Sequence, residues 1–176
     1  MALPRSPEHD RFLALLGQHR GLLYKVASAY ARTGDERGDL LQEIVVAAWR
    51  SFPRFDPRRP FGTWLYRVAM NVAISFARGR TRRSRDLVSL GDFGLEVAGA
   101  DQAVAESSTE LRRLQQRIAE LEPLNRALIL LHLDGCSANE MAEVLGISAT
   151  NASTRVSRIR QQLQREFRTE RRASEA

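Results

Sequence analysis

Trp64, Tyr66 and Asn71 stand close together in the stretch PFGTWLYRVAMNVAISFARGRTRRSR, interleaved with Arg67 and trailed by Arg78, Arg80, Arg82, Arg83 and Arg85. Aromatic and amide side chains can meet unstacked bases, and guanidinium groups bind phosphate bidentately. No acidic residue occurs between Asp56 and Asp86, so neighbours in sequence do not neutralise this run. It fits an external polyanion, or else a solvated arginine face beside a core helix. A second group, Thr150, Asn151, Ser153, Thr154, Arg155, Ser157 and Arg158, combines donors, acceptors and two guanidiniums near the start of a helix. That is the equipment needed to meet base edges and phosphates in a major groove. A third group, Asp39, Gln42 and Glu43, shares a helix face with Val46 and Arg50 and suits either plain solvent surface or contact with a basic partner. Catalysis finds no such support. His9, His19 and His132 are widely separated and Cys136 is alone, so no triad, disulfide or metal-ligand cluster can be assembled from spacing. Neither a catalytic residue nor a metal or other cofactor is expected.

Each group needs an element to hold it. Phe61, Trp64, Leu65, Val68, Ala69, Val72, Ala73 and Phe76 recur at helical spacing and predict an amphipathic helix capped by Thr63, with Tyr66, Arg67, Met70, Asn71 and Arg78 on the opposite side. Upstream, Ser6-Pro7-Glu8 opens a helix whose stripe of Phe12, Leu16, His19, Leu23, Val26 and Tyr30 runs to about Ala31. Thr33-Gly34-Asp35 breaks it, and Leu40, Leu41, Ile44, Val45, Ala48 and Trp49 form the inner face of the next helix. Pro53, Pro57 and Pro60 make a stiff turn, so three helices close a compact unit. The segment after Arg85 is acidic, contains Gly91, Gly94 and Gly99 and lacks sustained periodicity, which predicts a flexible linker. Ser107 and Glu110 have capping-box spacing ahead of Leu111, Leu114, Ile118 and Leu121. Pro123 restarts the helix and Asp134-Gly135 ends it. A capping box at Ser137 and Glu140, inward Met141, Ala142 and Leu145, the turn Gly146, a buried Ile147 and a cap at Ser148 together make a helix-turn-helix pattern. Ala152, Val156, Ile159, Leu163 and Phe167 line the inner side of the last helix.

Charge and composition narrow the partners. The 176 residues carry a net charge of +6 with a pI near 10.6, which favours nucleic acid or an anionic surface. The basic excess lies in the first 85 residues, with sixteen Arg and Lys against seven acids, whereas residues 86–122 hold three against eight. Without a secretory signal or a run of about eighteen apolar residues, a cytoplasmic protein with no membrane insertion is expected. The fold class is all-α, in two small helical domains.

Two blocks in this order resemble the extracytoplasmic-function (ECF) sigma factors of bacterial RNA polymerase, in the sigma-70 superfamily. DLLQEIVVAAWRSFPRFDPRRPFGTWLYRVAMNVA is similar to the family's region-two pattern, and LEPLNRALILLHLDGCSANEMAEVLGISATNASTRVSRIRQQL to region four. The resemblance implies a region-two domain over 8–85, a linker over 86–106 and a region-four helix-turn-helix domain over 107–170. It implies bacterial core RNA polymerase, promoter DNA and a separate anti-sigma factor as partners, with no small-molecule substrate. Asp39, Gln42 and Glu43 match the face that docks on core polymerase. Trp64, Tyr66, Arg67, Asn71, Arg78, Arg80, Arg82 and Arg83 match the region that opens and holds the −10 element. Thr150, Asn151, Ser153, Thr154, Arg155, Ser157 and Arg158 fall where the family reads the −35 element, although Ser153 stands where a basic residue is common and Asn151 is also unusual there. The rival reading is a stand-alone helix-turn-helix regulator.

Overall fold

The computed structural model describes the backbone of residues 7–87 and 109–174 and the side chains of 7–79 and 111–169. Among the described residues all regular structure is helical, and the chain divides into two compact units between Gly99 and Ala100. The expected linker lies almost entirely outside the described residues, as does the Ser107–Glu110 capping box.

The first unit contains α1 (Pro7–Gln18), α2 (Arg20–Tyr30), α3 (Gly34–Ser51), a 3-10 turn (Phe52–Arg54) and α4 (Phe61–Leu87). The single helix expected up to Ala31 is therefore two. Gly17 and Gly21 flank the break, and each weakens helix by about 1 kcal/mol relative to alanine. Between them His19 adopts φ −116° and ψ 20°, and its Nδ1–H donates to the Leu15 carbonyl at 2.9 Å. Its ring meets Phe61 at 5.2 Å, and a Cβ on Gly62 would lie 3.0 Å from Nε2, so α4 is docked closely against the break. The apolar stripe survives because Phe12, Leu23, Val26 and Tyr30 all remain buried.

Thr33 caps α3, its hydroxyl accepting from the Glu36 amide at 3.1 Å while the Glu36 carboxylate accepts from the Arg32 amide at 2.7 Å. Leu40, Ile44 and Ala48 bury one line of that helix, and α2, α3 and α4 pack on one another. Phe52 sits inside a ring cluster, with centroids 5.1 Å from Phe12, 6.0 Å from Phe55 and 6.2 Å from Trp64. The proline-rich turn is thus anchored by aromatic burial as well as by fixed φ angles. Thr63 does not cap α4, which begins at Phe61; the Trp64 amide already donates to the Pro60 carbonyl.

The second unit contains α5 (Thr109–Glu120), α6 (Pro123–Leu133), α7 (Ala138–Leu145) and α8 (Ala149–Ser174). Arg126 is buried, and its Nη2 donates to the carbonyls of Ala119 and Leu121, satisfying acceptors left open where α5 ends. The capping box at α7 is complete: Ser137 Oγ accepts from the Glu140 amide, and Glu140 accepts from the Ser137 amide at 2.7 Å. Gly146 ends α7 at φ +68°, left-handed backbone that glycine adopts without strain, and its amide returns to the Ala142 carbonyl. Ser148 then caps α8 through the Asn151 amide at 3.2 Å. Met141, Val144, Ala152, Val156, Ile159 and Leu163 are buried, whereas Ile147 and Phe167 are half-buried and Leu111 is exposed.

Candidate polymerase and promoter interfaces

Three exposed helix faces carry the candidate residues. On α3, Asp39, Gln42, Glu43, Val46 and Arg50 are all exposed. Their spacing of three and four residues places them side by side, directly behind the buried line of Leu40, Ile44 and Ala48. Asp35 and Glu36 add acid to the first turn, where it complements the helix dipole. The strip is therefore acidic at its start and becomes apolar at Val46; Trp49, expected on the inner face, is exposed because it lies one residue past the buried line that ends at Ala48, and its ring is packed at 5.2 Å by both His9 and Phe12.

On α4 the outward line is Arg67, Asn71, Ser75 and Arg78, which spans about 16 Å at the helical rise per residue. Ser75 was absent from the sequence-derived set, although its four-residue spacing from Asn71 placed it on that line. Tyr66 is not on this face: it is only 8% exposed, and Met70 is wholly buried. The buried set of Phe61, Leu65, Tyr66, Ala69, Met70, Ala73, Ile74 and Ala77 is centred about one residue on from the expected stripe, which turns Tyr66 and Met70 toward α2 and α3 and away from the exposed line. Trp64 is half-buried, 5.1 Å from Phe55 and 5.2 Å from Phe61, so the ring cluster fixes its orientation while leaving part of it accessible. Arg80, Arg82 and Arg83 lie on the helical backbone of α4, but their side chains fall outside the described residues.

In the second unit Thr150, Asn151, Ser153, Thr154, Ser157 and Arg158 are exposed along the first turns of α8, opposite buried Ala152, Val156 and Ile159. Arg155 differs. It is half-buried, its Nε donates to Asn151 Oδ1 at 3.0 Å, and its Nη1 donates to Asn125 Oδ1 at 3.2 Å and lies 3.9 Å from Glu122 Oε2. Sequence spacing gave no sign of this link to α6. Among the described residues no group of three His, Cys, Asp or Glu side chains is arranged to hold a metal, and no helix is long and apolar enough to cross a membrane.

The sigma-70 region 2 family profile matches residues 15–83, and the sigma-70 region 4 profile matches residues 111–163. The RNA polymerase sigma factor CnrH of Cupriavidus metallidurans is 31% identical over 167 residues, covering 90% of this chain and 87% of the relative. This chain belongs to the ECF sigma factors of the sigma-70 family. The ECF RNA polymerase sigma-E factor of Escherichia coli is 29% identical over 163 residues, 88% of this chain and 85% of its own. Among solved structures, CnrH in complex with the cytosolic domain of CnrY aligns with a TM-score of 0.63 at 28% identity over 90% of this chain and 88% of that one. The sigma factor RpoE in complex with the anti-sigma factor NepR from Bartonella quintana shares the fold, with a TM-score of 0.67 at 23% identity over 90% of this chain and 95% of that one. The α3 and α4 faces of this sigma factor thus fall within its region-2 match, and the α8 face within its region-4 match.

Proposed function

We propose that this sigma factor divides promoter recognition between its two units, with residues 8–85 binding core polymerase and opening the −10 element, 86–106 serving as linker, and 107–170 reading the −35 element. The observation that carries this reading is the presence of region 2 and region 4 segments, in that order, in one chain. The exposed acids and amide of α3 suit a protein surface of opposite charge, so Asp39, Gln42 and Glu43 dock on core polymerase. Arg67 and Arg78 bracket Asn71 and Ser75 on α4, which suits a strand whose backbone is held by guanidiniums while an amide meets a displaced base. Extruding a base costs a few kcal/mol, and polar contacts recover part of it. Arg80, Arg82 and Arg83 extend the basic run toward backbone phosphates, and half-buried Trp64 offers a ring edge beside it. Buried Tyr66 supports this face from beneath.

The chain performs no chemistry of its own, because nucleotidyl transfer belongs to the polymerase, and it acts where that polymerase is, in the cytoplasm. The two aligned sigma factors were each captured with another protein, the cytosolic domain of CnrY or the anti-sigma factor NepR. By the same logic this chain is held in check by a separate anti-sigma protein. Gel filtration of the purified chain with core polymerase, followed by binding to a promoter-length DNA pool, tests the division of labour. A stable complex that selects duplexes with two separated elements supports it. Sequence-selective duplex binding by the chain alone, with no polymerase complex, contradicts it in favour of a free-standing helix-turn-helix regulator.

A further inference from the structure

Asn151 lies on the exposed start of α8, and its side chain has one protein partner, Arg155 Nε at 3.0 Å. Arg155 is itself held from behind by Asn125 Oδ1 at 3.2 Å, with Glu122 Oε2 at 3.9 Å from the same Nη1. A guanidinium only donates, so each amide facing it must present its oxygen. The orientation of Asn151 is thereby fixed: Oδ1 faces Arg155 on the next turn of the helix, and Nδ2 has no hydrogen-bond partner among the described residues. Its backbone N–H is already donated to Ser148 Oγ.

We propose that Arg155 is a positioning residue and that Asn151 determines specificity, presenting amide N–H donors so that the −35 position it faces must offer an acceptor edge. This rests on the reading in which α8 enters the major groove. The edges that satisfy such donors are guanine O6 and N7, thymine O4 or, through a single bond, adenine N7, whereas cytosine presents its N4 donor. The bidentate pairing of asparagine with adenine is disfavoured, because it needs Oδ1 to accept from N6 while Nδ2 donates to N7. Arg155 reads no base. Its planar fork spans Asn151 and Asn125 at once, which the single ammonium of a lysine does not reproduce.

Selection of −35 sequences from a random pool by reconstituted holoenzyme tests this with wild type, Asn151→Ala, Asn151→Asp and Arg155→Ala. Asn151→Ala is expected to lower preference at one position by about five- to tenfold, the lower part of the range for a specific base contact. Arg155→Ala relaxes that same position and no other. Asn151→Asp keeps an oxygen for Arg155 but offers acceptors outward, so preference there turns toward bases with an amino donor, cytosine or adenine. Relaxation by Arg155→Ala at a different position, or uniform weakening of all sequences with a shallower salt dependence, overturns the proposal, because Arg155 then touches DNA directly. An unchanged preference for Asn151→Ala also overturns it. Should Arg155→Ala fail to assemble, Asn125→Ala removes one anchor: a smaller relaxation at the same position supports the proposal and none contradicts it. Ser153→Ala, Thr154→Ala and Arg158→Ala separate the levels. If they change the selected sequence while Asn151→Ala does not, only this inference falls; if they change nothing either, the groove reading of α8 falls with it.

Discussion

Asn71 is exposed midway along the outer line of α4, with core residues Ala69, Met70 and Ala73 behind it, so its side chain can be removed without opening a cavity. Asn71→Ala is expected to leave polymerase binding intact and to slow promoter opening by about fivefold or more, the equivalent of one hydrogen bond of about 1 kcal/mol. A premelted −10 bubble should restore most of the rate, and stopped-flow fluorescence from a base analogue in that element measures it. Ser137 makes a different kind of contribution. Ser137→Ala removes the α7 cap and should cost about 1 kcal/mol, read from hydrogen exchange at the amides of α7. The backbone N–H and hydroxyl of Ser137 both favour the Glu140 carboxylate and hold its pKa below the ordinary glutamate value. A depressed carboxylate contributes stability above its unfolded pKa and loses it as pH falls through the folded one. The exchange difference between wild type and Ser137→Ala should therefore shrink once pH drops below the usual glutamate range, and it should lose sensitivity to pH when Glu140 is replaced by glutamine.

The exposed strip of α3 acts as a unit, because Asp39, Gln42 and Glu43 share a face whose opposite side supplies Leu40, Ile44 and Ala48 to the core. Replacing all three with lysine is expected to weaken binding to core polymerase by about tenfold or more, since like charges juxtaposed across an interface cost several kcal/mol. Far-UV circular dichroism should be unchanged, because none of the three contributes to the core. Much of this element structure was legible in the sequence. Caps and stops announced α7 and α8 through Ser137, Gly146 and Ser148, each by a local hydrogen bond or backbone angle, and the break at Thr33-Gly34-Asp35 proves to be the cap of α3. What periodicity did not reveal depends on neighbours distant in sequence. The docking of Phe61 and Gly62 against His19 at the break, and the burial of Tyr66 and Met70 where α4 packs on α2 and α3, are of this kind. The Arg155–Asn125 bond joins residues thirty positions apart on different helices. Polar character at Asn151 and Arg155 was visible in the sequence, but the hydrogen bond between them was not.

At the scale of the whole chain, the proposed division of promoter recognition requires both units to act on one DNA molecule through the polymerase. The first 85 residues concentrate the basic excess on the unit assigned to the −10 element, while residues 86–122 are acidic and interrupt the attraction to phosphate. Neither unit alone explains the pairing of region 2 with region 4. The most direct measurement is run-off transcription across a fragmented genomic library by core polymerase, with and without this chain. A restricted set of new start sites is expected to appear only when the chain is present, preceded by a shared −35 and −10 pair at constant spacing. Start sites unchanged from core polymerase alone, with the chain bound to duplex DNA in the polymerase's absence, would contradict the proposed division.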